Sequence, residues 1–314
     1  ACNPTDSTQS NLASSSTLSL RLQLNLLARA APAIFVLLWS TGFVGSKLGA
    51  PYIDPMVFLT VRFVAVLPVL ILLAMFLSKS WPKDPAAIAH CIFTGMLVHG
   101  IYLGGVFWAI KQGMPAGASS IIVGLQPVLT ALIAVALLGE TISRRHWLAM
   151  AIGAIGLAFV LGPKLDLAGS GITPVTIFVV LISVAAISLG TVYQKRFVQH
   201  TDLMAATVWQ YVGALFVTVP LSLTESWQIT WSGELIFAMA WLVLVLSVGA
   251  ILLLMLLIRE GAVSQVASLF YLVPVATAVE SYFLFGESLT PVQIGGMVLV
   301  ISAVLTIRKK PARS

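Results

Sequence analysis

Two charged side chains lie inside stretches that are otherwise apolar, and they are the first candidates for chemistry. Arg62 lies in the apolar segment that begins at Pro55, and Glu280 lies in another that ends near Gly286. A charge in hydrocarbon costs about 2.5–3.5 kcal/mol even on the mildest insertion scale, so each side chain must face protein or water. At about 1.5 Å per helical residue, both lie about 10 Å below the same membrane surface. They therefore mark a polar site inside the membrane.

These two charges allow several chemical roles. Glu280 is interpreted in three ways: as a structural partner of Arg62, as a ligand for a substrate ammonium or a proton-exchanging carboxylate, or as a residue of a helix interface. Arg62 either bonds carbonyl oxygens of a neighbouring helix or recognises a substrate carboxylate. A zwitterion such as an amino acid would suit one cation and one anion at equal depth. Coupling to protons through Glu280 is the only cofactor-like requirement that we expect.

Polar and aromatic residues at helical spacing extend the candidate site. His99 and Tyr102 share a helix face at about 100° per residue, whereas His90 and His99 fall on opposite faces. No metal pair is therefore predicted on this helix. The other candidates for substrate binding or coupling are Trp39, Tyr193, Gln194, Trp209, Gln210, Tyr211 and Tyr271. A single aromatic residue is more often packed or interfacial, but the set predicts an amphipathic cavity.

The composition requires a lipid environment for these residues. The chain is 59% hydrophobic and 9% charged, with a mean hydropathy of +1.02, whereas soluble chains carry about 25% charged residues. A disordered chain and a disulfide-stapled module are excluded, since the sequence holds two cysteines. Apolar stretches of about 20 residues mark ten membrane-spanning helices: 33–50, 55–78, 87–110, 116–139, 146–163, 171–194, 203–223, 235–258, 262–286 and 290–307.

The basic residues orient these spans. Thirteen lie on the same side as the N-terminus, and Lys47, Lys111 and Lys164 lie on the other. Because Lys and Arg stay on the cytoplasmic side, both termini are predicted to be cytoplasmic. The net charge of +6 is thus a topology signal. Since the basic residues are scattered over several loops and tails, they predict no nucleic-acid surface.

The sequence also repeats itself. The segment PVLTALIAVALLGETIS from Pro127 realigns with PVATAVESYFLFGESLT from Pro274, 147 residues later. Each copy holds five spans, so the second copy enters the membrane from the opposite side and the halves form an inverted repeat. Such halves can rock about a midplane site and expose it to each side in turn. Gly124, Pro127 and Pro274 interrupt the fourth and ninth spans and are interpreted as hinges or, alternatively, as static kinks.

Four segments carry a resemblance to a known family. They are WSTGFVGSKL in the first span, the Arg62-Phe63 pair, AGASSIIVGLQPVLTALIAVALLGETIS across the fourth span and ASLFYLVPVATAVESYFLFGESLTPVQIGG across the ninth. Together they resemble the EamA-type branch of the drug/metabolite transporter superfamily. This resemblance implies a ten-helix secondary transporter of the bacterial inner membrane, often an exporter of amino acids or related metabolites. It also implies a central cavity lined by the first four helices of each half.

The predicted fold is an all-α integral membrane protein. Its ten transmembrane helices form two inverted-topology five-helix repeats, N-in and C-in. Residues 31–165 are assigned to the first repeat and 166–308 to the second. Residues 1–30 are predicted to be a disordered cytoplasmic tail, and 309–314 a short cytoplasmic tail.

The leading hypothesis is a secondary transporter that exports small metabolites such as amino acids. Its alternative within transport is proton-coupled efflux of lipophilic cations or drugs, with Glu280 as the binding carboxylate. An intramembrane enzyme is disfavoured, because the spans hold no H-E-x-x-H motif, aspartate pair or Ser/His/acid set. The expected partners are a small-molecule substrate and the lipid bilayer, and the oligomeric state stays open between monomer and homodimer.

Overall fold

A computed structural model describes residues 33–165, 171–249, 253, 272–287 and 290–308. In these ranges the chain forms helices and no strand. The helices are α1 (Ala33–Gly49), α2 (Pro55–Leu77), α3 (Pro85–Lys111), α4 (Ala116–Leu138), α5 (Arg144–Leu165), α6 (Pro174–Phe197), α7 (Leu203–Ser222), α8 (Gly233–Gly249), α9 (Val273–Phe285) and α10 (Pro291–Arg308). The two predicted tails and Tyr271 lie outside the described residues.

The helices follow the apolar segments of the sequence. Five of them, α2, α3, α4, α6 and α7, are long and apolar enough to cross a membrane, and α1, α8, α9 and α10 are shorter apolar helices within the described part of the chain. Each predicted span contains one of the helices, and the spans predicted at 235–258 and 262–286 are described only in part. The all-helical membrane fold is confirmed.

Local sequence sets where several helices begin and end. Pro55, Pro85 and Pro174 each stand in the first turn of a helix, where the missing N–H costs no hydrogen bond and the ring fixes a helical φ. Gly139 and Gly286 cap the C-termini of α4 and α9 in the left-handed conformation, at φ 66° and 65°. Glycine enters this region at no steric cost, and the two glycines are equivalent in the repeat.

Helix packing follows the repeat. The contact of α3 with α7 has its counterpart in the contact of α8 with α2, because α2 and α7, and α3 and α8, are equivalent helices of the two copies. Three pairs of equivalent helices also pack on each other: α2 on α7, α4 on α9 and α5 on α10. Every one of these contacts joins a helix of residues 33–165 to a helix of residues 174–308. The halves therefore interlock around a shared centre instead of standing as two separate bundles.

Matched hydrogen bonds fasten the ends of the antiparallel α2–α7 pair. Before α2, Asp54 Oδ2 accepts from the Ser226 hydroxyl at 2.7 Å and from its backbone N–H at 3.2 Å. Before α7, Asp202 Oδ1 accepts from the Ser78 hydroxyl at 2.8 Å. Residue for residue, these are the same bonds in the two copies, one at each membrane side.

Two ion pairs repeat in the same way. Lys47 at the end of α1 bonds Glu287 at 2.5 Å, and Lys195 at the end of α6 bonds Glu140 at 2.6 Å. The first pair lies on the predicted outer side and the second on the predicted cytoplasmic side. Their side chains differ in exposure, at 30% and 10% for the first pair and 61% and 40% for the second.

The peripheral pair α5 and α10 is held together by small residues. A Cβ atom at Gly156 would lie 2.7 Å from the carbonyl oxygen of Gly296, so the two helices approach as closely as glycine permits. At the ends of the helices, exposed indole rings lie where interfacial anchors of a membrane protein are expected; they belong to Trp81, Trp147, Trp227 and Trp231.

Candidate functional site

A cavity of about 190 Å³ lies between helices of both halves. Several residues that the sequence predicted line it: Trp39, Arg62, His99, Tyr102, Gln194, Gln210 and Tyr211. The sequence analysis missed others, among them Phe43, Phe107, Thr207, Leu246 and Ser247. Because α1, α2, α3, α6, α7 and α8 all contribute, the cavity exists only when the two halves are assembled.

Two π-helical turns carry part of the lining. They span Met96–Ile101 in α3 and Trp241–Gly249 in α8, which are equivalent positions in the two copies. His99 on the first turn and Ser247 on the second both line the cavity. Such turns insert an extra residue per turn, rotate the following side chains and are frequent at functional sites.

Arg62 is buried in the cavity wall, with 3% of its surface exposed. Its Nη2 donates to the Ser247 hydroxyl at 3.1 Å, and that hydroxyl donates to the Leu242 carbonyl at 2.9 Å. Within the described residues, Arg62 Nε and Nη1 have no hydrogen-bond partner. The guanidinium therefore keeps two nitrogens for another acceptor.

The other polar side chains of the cavity surround Arg62. The rings of His99 and Tyr211 lie 4.8 Å apart, and Tyr211 packs edge to face on Phe63 at 5.3 Å. Gln210 comes from the stretch of α7 where the backbones of α3 and α7 meet, because a Cβ atom at Gly95 would lie 1.9 Å from the Gln210 carbonyl oxygen. Gln210 Nε2 has no hydrogen-bond partner within the described residues.

The structure does not bring Glu280 to Arg62, so their predicted pairing is wrong for this conformation. Glu280 on α9 faces α1, where its Oε1 lies 2.6 Å from the Ser40 hydroxyl. Arg62 on α2 faces α8 instead. Although the two charges were predicted to lie at the same depth, each helix is rotated so that its charged side chain faces a different neighbouring helix. Glu280 Oε2 is buried and has no partner in the described part of the chain.

Two further candidates lie away from the cavity. The Tyr193 hydroxyl is 2.7 Å from His90 Nδ1, in an aromatic group between the start of α3 and the end of α6. Trp209 packs against the small cluster formed by Cys91, Val198 and Ala206. Tyr271 lies outside the described residues.

Two of the predicted hinge residues, Gly124 and Pro274, lie in contact. A turn at Gly124 and Leu125 interrupts α4, and Pro127 opens the segment that follows. Pro274 stands in the first turn of α9. A Cβ atom at Gly124 would lie 2.8 Å from Pro274 Cγ, so the breaks of the two copies touch. Their role as hinges stays a prediction.

The described lining of the cavity differs between its two ends. Toward the predicted outer side, Phe107 lines it and packs edge to face on the buried Phe58 at 5.5 Å. Toward the predicted cytoplasmic side, the lining includes Gln194 near the end of α6 and Leu203, the first residue of α7.

Polar contacts join the helix ends at the predicted outer side. Glu225, after α7, accepts the backbone N–H groups of Met56 and Val57 at 2.9 and 3.0 Å. Burial raises the pKa of the Glu225 carboxyl above its ordinary value, although these two hydrogen bonds act in the opposite direction. Lys111 bonds the Ala50 carbonyl at 2.7 Å and lies 3.4 Å from Asp54. The ends of α1, α2, α3 and α7 are thereby tied together.

Among the described residues, no group of three or more His, Cys, Asp or Glu side chains is placed to hold a metal ion.

Comparison with known proteins gives consistent relatives. The chain is 25% identical to a "Probable amino-acid metabolite efflux pump" of Salmonella typhimurium, over 86% of this chain and 91% of that protein. It is 24% identical to an "S-adenosylmethionine uptake transporter" of Rickettsia bellii, over 76% and 78%. It is 26% identical to the "Uncharacterized inner membrane transporter YedA" of Escherichia coli K12, over 88% of each chain.

A solved crystal structure shares the fold. Its TM-score is 0.68 at 19% identity, and the match covers 90% of this chain and 96% of the other. The model of the EamA-like transporter family matches residues 30–162 and again residues 174–308. Two copies of one family unit therefore account for nearly all of the helical sequence. Together with the helices and the relatives, these matches show that the chain is a multi-pass inner-membrane protein that belongs to the EamA-like transporter family.

Proposed function

We propose that this transporter exports small amphipathic metabolites such as amino acids by alternating access. The observation that carries the proposal is the central cavity, which both halves line and which lies between matched polar contacts at the two membrane sides. Two similar halves around one site give outward-open and inward-open states of similar energy, because each state is built from the same contacts with the roles of the halves exchanged.

The asymmetry of the cavity supports assigning this conformation to the inward-facing state. Phe107 and Phe58 pack together toward the predicted outer end, whereas the described part of the lining extends to Leu203 at the start of α7, toward the predicted cytoplasmic end. The outer ion pair, Lys47 with Glu287, is also less exposed than its cytoplasmic counterpart. In the outward-facing state, we expect the cytoplasmic pair, Lys195 with Glu140, to be the less exposed of the two ion pairs.

The size and lining of the cavity favour a small substrate. Sites for drug-sized ligands measure about 300–1,000 Å³, more than the about 190 Å³ found here. Lipophilic cations are disfavoured as substrates, because Arg62 lies in the cavity wall while Glu280 lies outside it. The Salmonella relative is named for amino-acid metabolite efflux, which supports both the metabolite class and the outward direction. The Rickettsia relative, named for uptake, makes direction a point to be measured.

Hydrogen-bond balance at Glu280 supports a role for protons. The Ser40 hydroxyl lies 2.8 Å from the Leu37 carbonyl and 2.6 Å from Glu280 Oε1. One hydroxyl proton cannot serve both oxygens fully. If Glu280 is protonated, its O–H donates to Ser40 while Ser40 donates to Leu37, and both short contacts are satisfied. We therefore propose that Glu280 binds a proton in this conformation and releases it in the other.

Uptake of a labelled metabolite panel into proteoliposomes tests the proposal. The panel contains neutral, acidic, basic and aromatic amino acids and is run with and without an imposed pH gradient, in both directions. We expect saturable transport of at least one small amphipathic metabolite and a dependence of its rate on the gradient. Complete inertness toward the panel under every gradient would contradict the proposed function.

A further inference from the structure

We infer that the cavity recognises a carboxylate attached to an apolar or aromatic body, and that an ammonium group on the substrate is not required. This inference rests on the proposed function, because it specifies the substrate of the same cavity. Its chemical basis is a buried guanidinium in the wall that keeps open donors and faces no acidic side chain among the described lining residues.

Among the described residues that line the cavity, no acidic side chain neutralises the guanidinium of Arg62. Arg62 is 3% exposed, it lines the cavity, and Ser247 is its hydrogen-bond acceptor. Nε and Nη1 have no acceptor within the described residues. A buried charge without a partner is costly, and a carboxylate accepts charge-assisted hydrogen bonds from a guanidinium. A substrate carboxylate supplies the missing charge together with an acceptor.

The described part of the cavity wall offers an ammonium no comparable group. None of the described residues that line the cavity is Asp or Glu. Glu280, the carboxylate that the sequence placed at similar depth, bonds Ser40 on another face of α1. An ammonium in this site would have to keep its hydration or lie against aromatic faces. A substrate that lacks the ammonium group therefore loses no ion pair with the protein.

Aromatic side chains form another part of the wall. Trp39 and Phe43 from α1 and Tyr102 and Phe107 from α3 line the same cavity. Such walls favour a flat or apolar body beyond the carboxylate. Gln210 Nε2, which has no partner in the described part of the chain, is a second donor in the lining.

A series of three ligands separates the two charges of an amino acid. Phenylalanine carries both, 3-phenylpropionate keeps the carboxylate alone, and phenethylamine keeps the ammonium alone. Binding to the wild-type protein purified in detergent is measured by calorimetry and by the rise of the unfolding temperature, which follows ligand occupancy. We expect phenylpropionate to bind at least as tightly as phenylalanine, and phenethylamine to bind at least about tenfold more weakly, because it lacks the charge-assisted bonds.

Variants then assign the effect to Arg62. Arg62→Gln should weaken both carboxylates at least about tenfold, since a charge-assisted hydrogen bond is lost. Arg144→Gln removes the same charge from an exposed position at the start of α5 and should leave all three affinities unchanged. Because the ligand series is measured on the wild-type protein, it holds even if Arg62→Gln fails to fold.

Three results overturn the inference: equal binding of amine and carboxylate, unchanged carboxylate affinity in folded Arg62→Gln, or no binding of either carboxylate to the wild type. Failure of the proposed function looks different. In that case the carboxylates bind to the purified protein and lose affinity in Arg62→Gln, but no substrate crosses the membrane in proteoliposomes. Binding and transport are therefore measured on the same preparation.

Discussion

At the scale of residues, each of the two charges inside the membrane is held by one serine. Arg62 bonds Ser247 across α2 and α8, and Glu280 bonds Ser40 across α9 and α1. In both groups, atoms remain without a partner among the described residues: Nε and Nη1 of Arg62 and Oε2 of Glu280. Buried polar groups are nearly always satisfied, so these are the places where a substrate or a proton would act.

Replacing Glu280 by glutamine tests whether this carboxylate couples transport to protons. The amide keeps the size of the side chain and a hydrogen bond to Ser40 but cannot exchange a proton. We expect Glu280→Gln to retain substrate binding, since Glu280 lies outside the cavity, and to lose the response of the transport rate to a pH gradient. The measurement is uptake into proteoliposomes at several gradients.

Glu234→Gln is the matched control for this experiment. It alters an exposed carboxylate in the first turn of α8 and should leave the gradient response intact. An unchanged gradient response in Glu280→Gln would remove the carboxylate from the coupling step.

The same two residues show which parts of the site could be predicted from the sequence. Arg62 was predicted as a site residue because a charge in hydrocarbon is too costly to leave without a role. Ser247 was missed, because one serine in the apolar stretch Trp241–Gly249 carries no such cost. Glu280 was considered as a partner of Arg62 but bonds Ser40 instead, since the rotation of a helix depends on tertiary packing.

At the scale of helices, the two left-handed glycine caps provide a stability test. Gly139 and Gly286 end α4 and α9 with positive φ, and nothing lies within 4 Å of a Cβ added at either position. Alanine therefore causes no clash and carries only the cost of the left-handed backbone, about 1–2 kcal/mol. We expect Gly139→Ala and Gly286→Ala each to lower the free energy of unfolding by about that amount.

Gly295→Ala is the control, measured by the same denaturation of the protein in detergent. Gly295 lies within helix α10, and a Cβ there also meets nothing within 4 Å. In a helix interior alanine is favoured over glycine by about 0.8–1.0 kcal/mol, so this variant should be neutral or more stable. Equal effects of the cap and helix variants would contradict the backbone argument.

The helix cap at Asp202 predicts a pH dependence. Partial burial raises the pKa of its carboxyl, but the Ser78 hydroxyl and the backbone N–H groups of Lys79, Ala205 and Met204 outweigh burial, so the pKa lies below its ordinary value. An acid with a lowered pKa contributes stability above its ordinary pKa, about 3.9. That stability is lost as the pH falls through the lowered value.

We expect Asp202→Asn to be less stable than the wild type by about 1 kcal/mol near neutral pH, because hydrogen bonds to a charged carboxylate are stronger than those to a neutral amide. The difference should narrow as the pH falls below about 4, where the wild-type carboxyl takes up its proton. Thermal unfolding of both proteins across this range gives the comparison. Asp84→Asn serves as the matched control, because Asp84 caps α3 through Ala86 and makes no bond to the other half. A difference that stays constant across the whole pH range would contradict the argument.

Helix positions were more predictable than helix shape. Long apolar stretches, initial prolines and terminal glycines carry their signals in the local sequence, and α1 and α2 begin where the sequence analysis placed them. The π-helical turns in α3 and α8 carry no such signal, since they arise where neighbouring helices pack. For that reason the cavity wall was predicted only in part.

At the scale of the whole molecule, the repeat is expressed as contacts. Lys47 and Lys195 occupy equivalent positions of the repeat, and each forms an ion pair. Asp54 and Asp202 are equivalent in the same way, and each accepts a hydrogen bond from a serine hydroxyl. Each ion pair joins one half to the other near a different membrane side. In the proposed alternating access one side opens while the other stays closed, so we expect the outer pair to separate during transport.

A reversible cross-link at the outer ion pair tests this requirement most directly. The substitutions Lys47→Cys and Glu287→Cys are made in a chain whose Cys2 and Cys91 are replaced by serine, and substrate exchange in proteoliposomes is measured before and after treatment with a short, reducible thiol cross-linker. Alternating access predicts that exchange stops on cross-linking and returns on reduction, while purified cross-linked protein still binds substrate in the proposed inward-facing state. Exchange at an undiminished rate in fully cross-linked protein would contradict it.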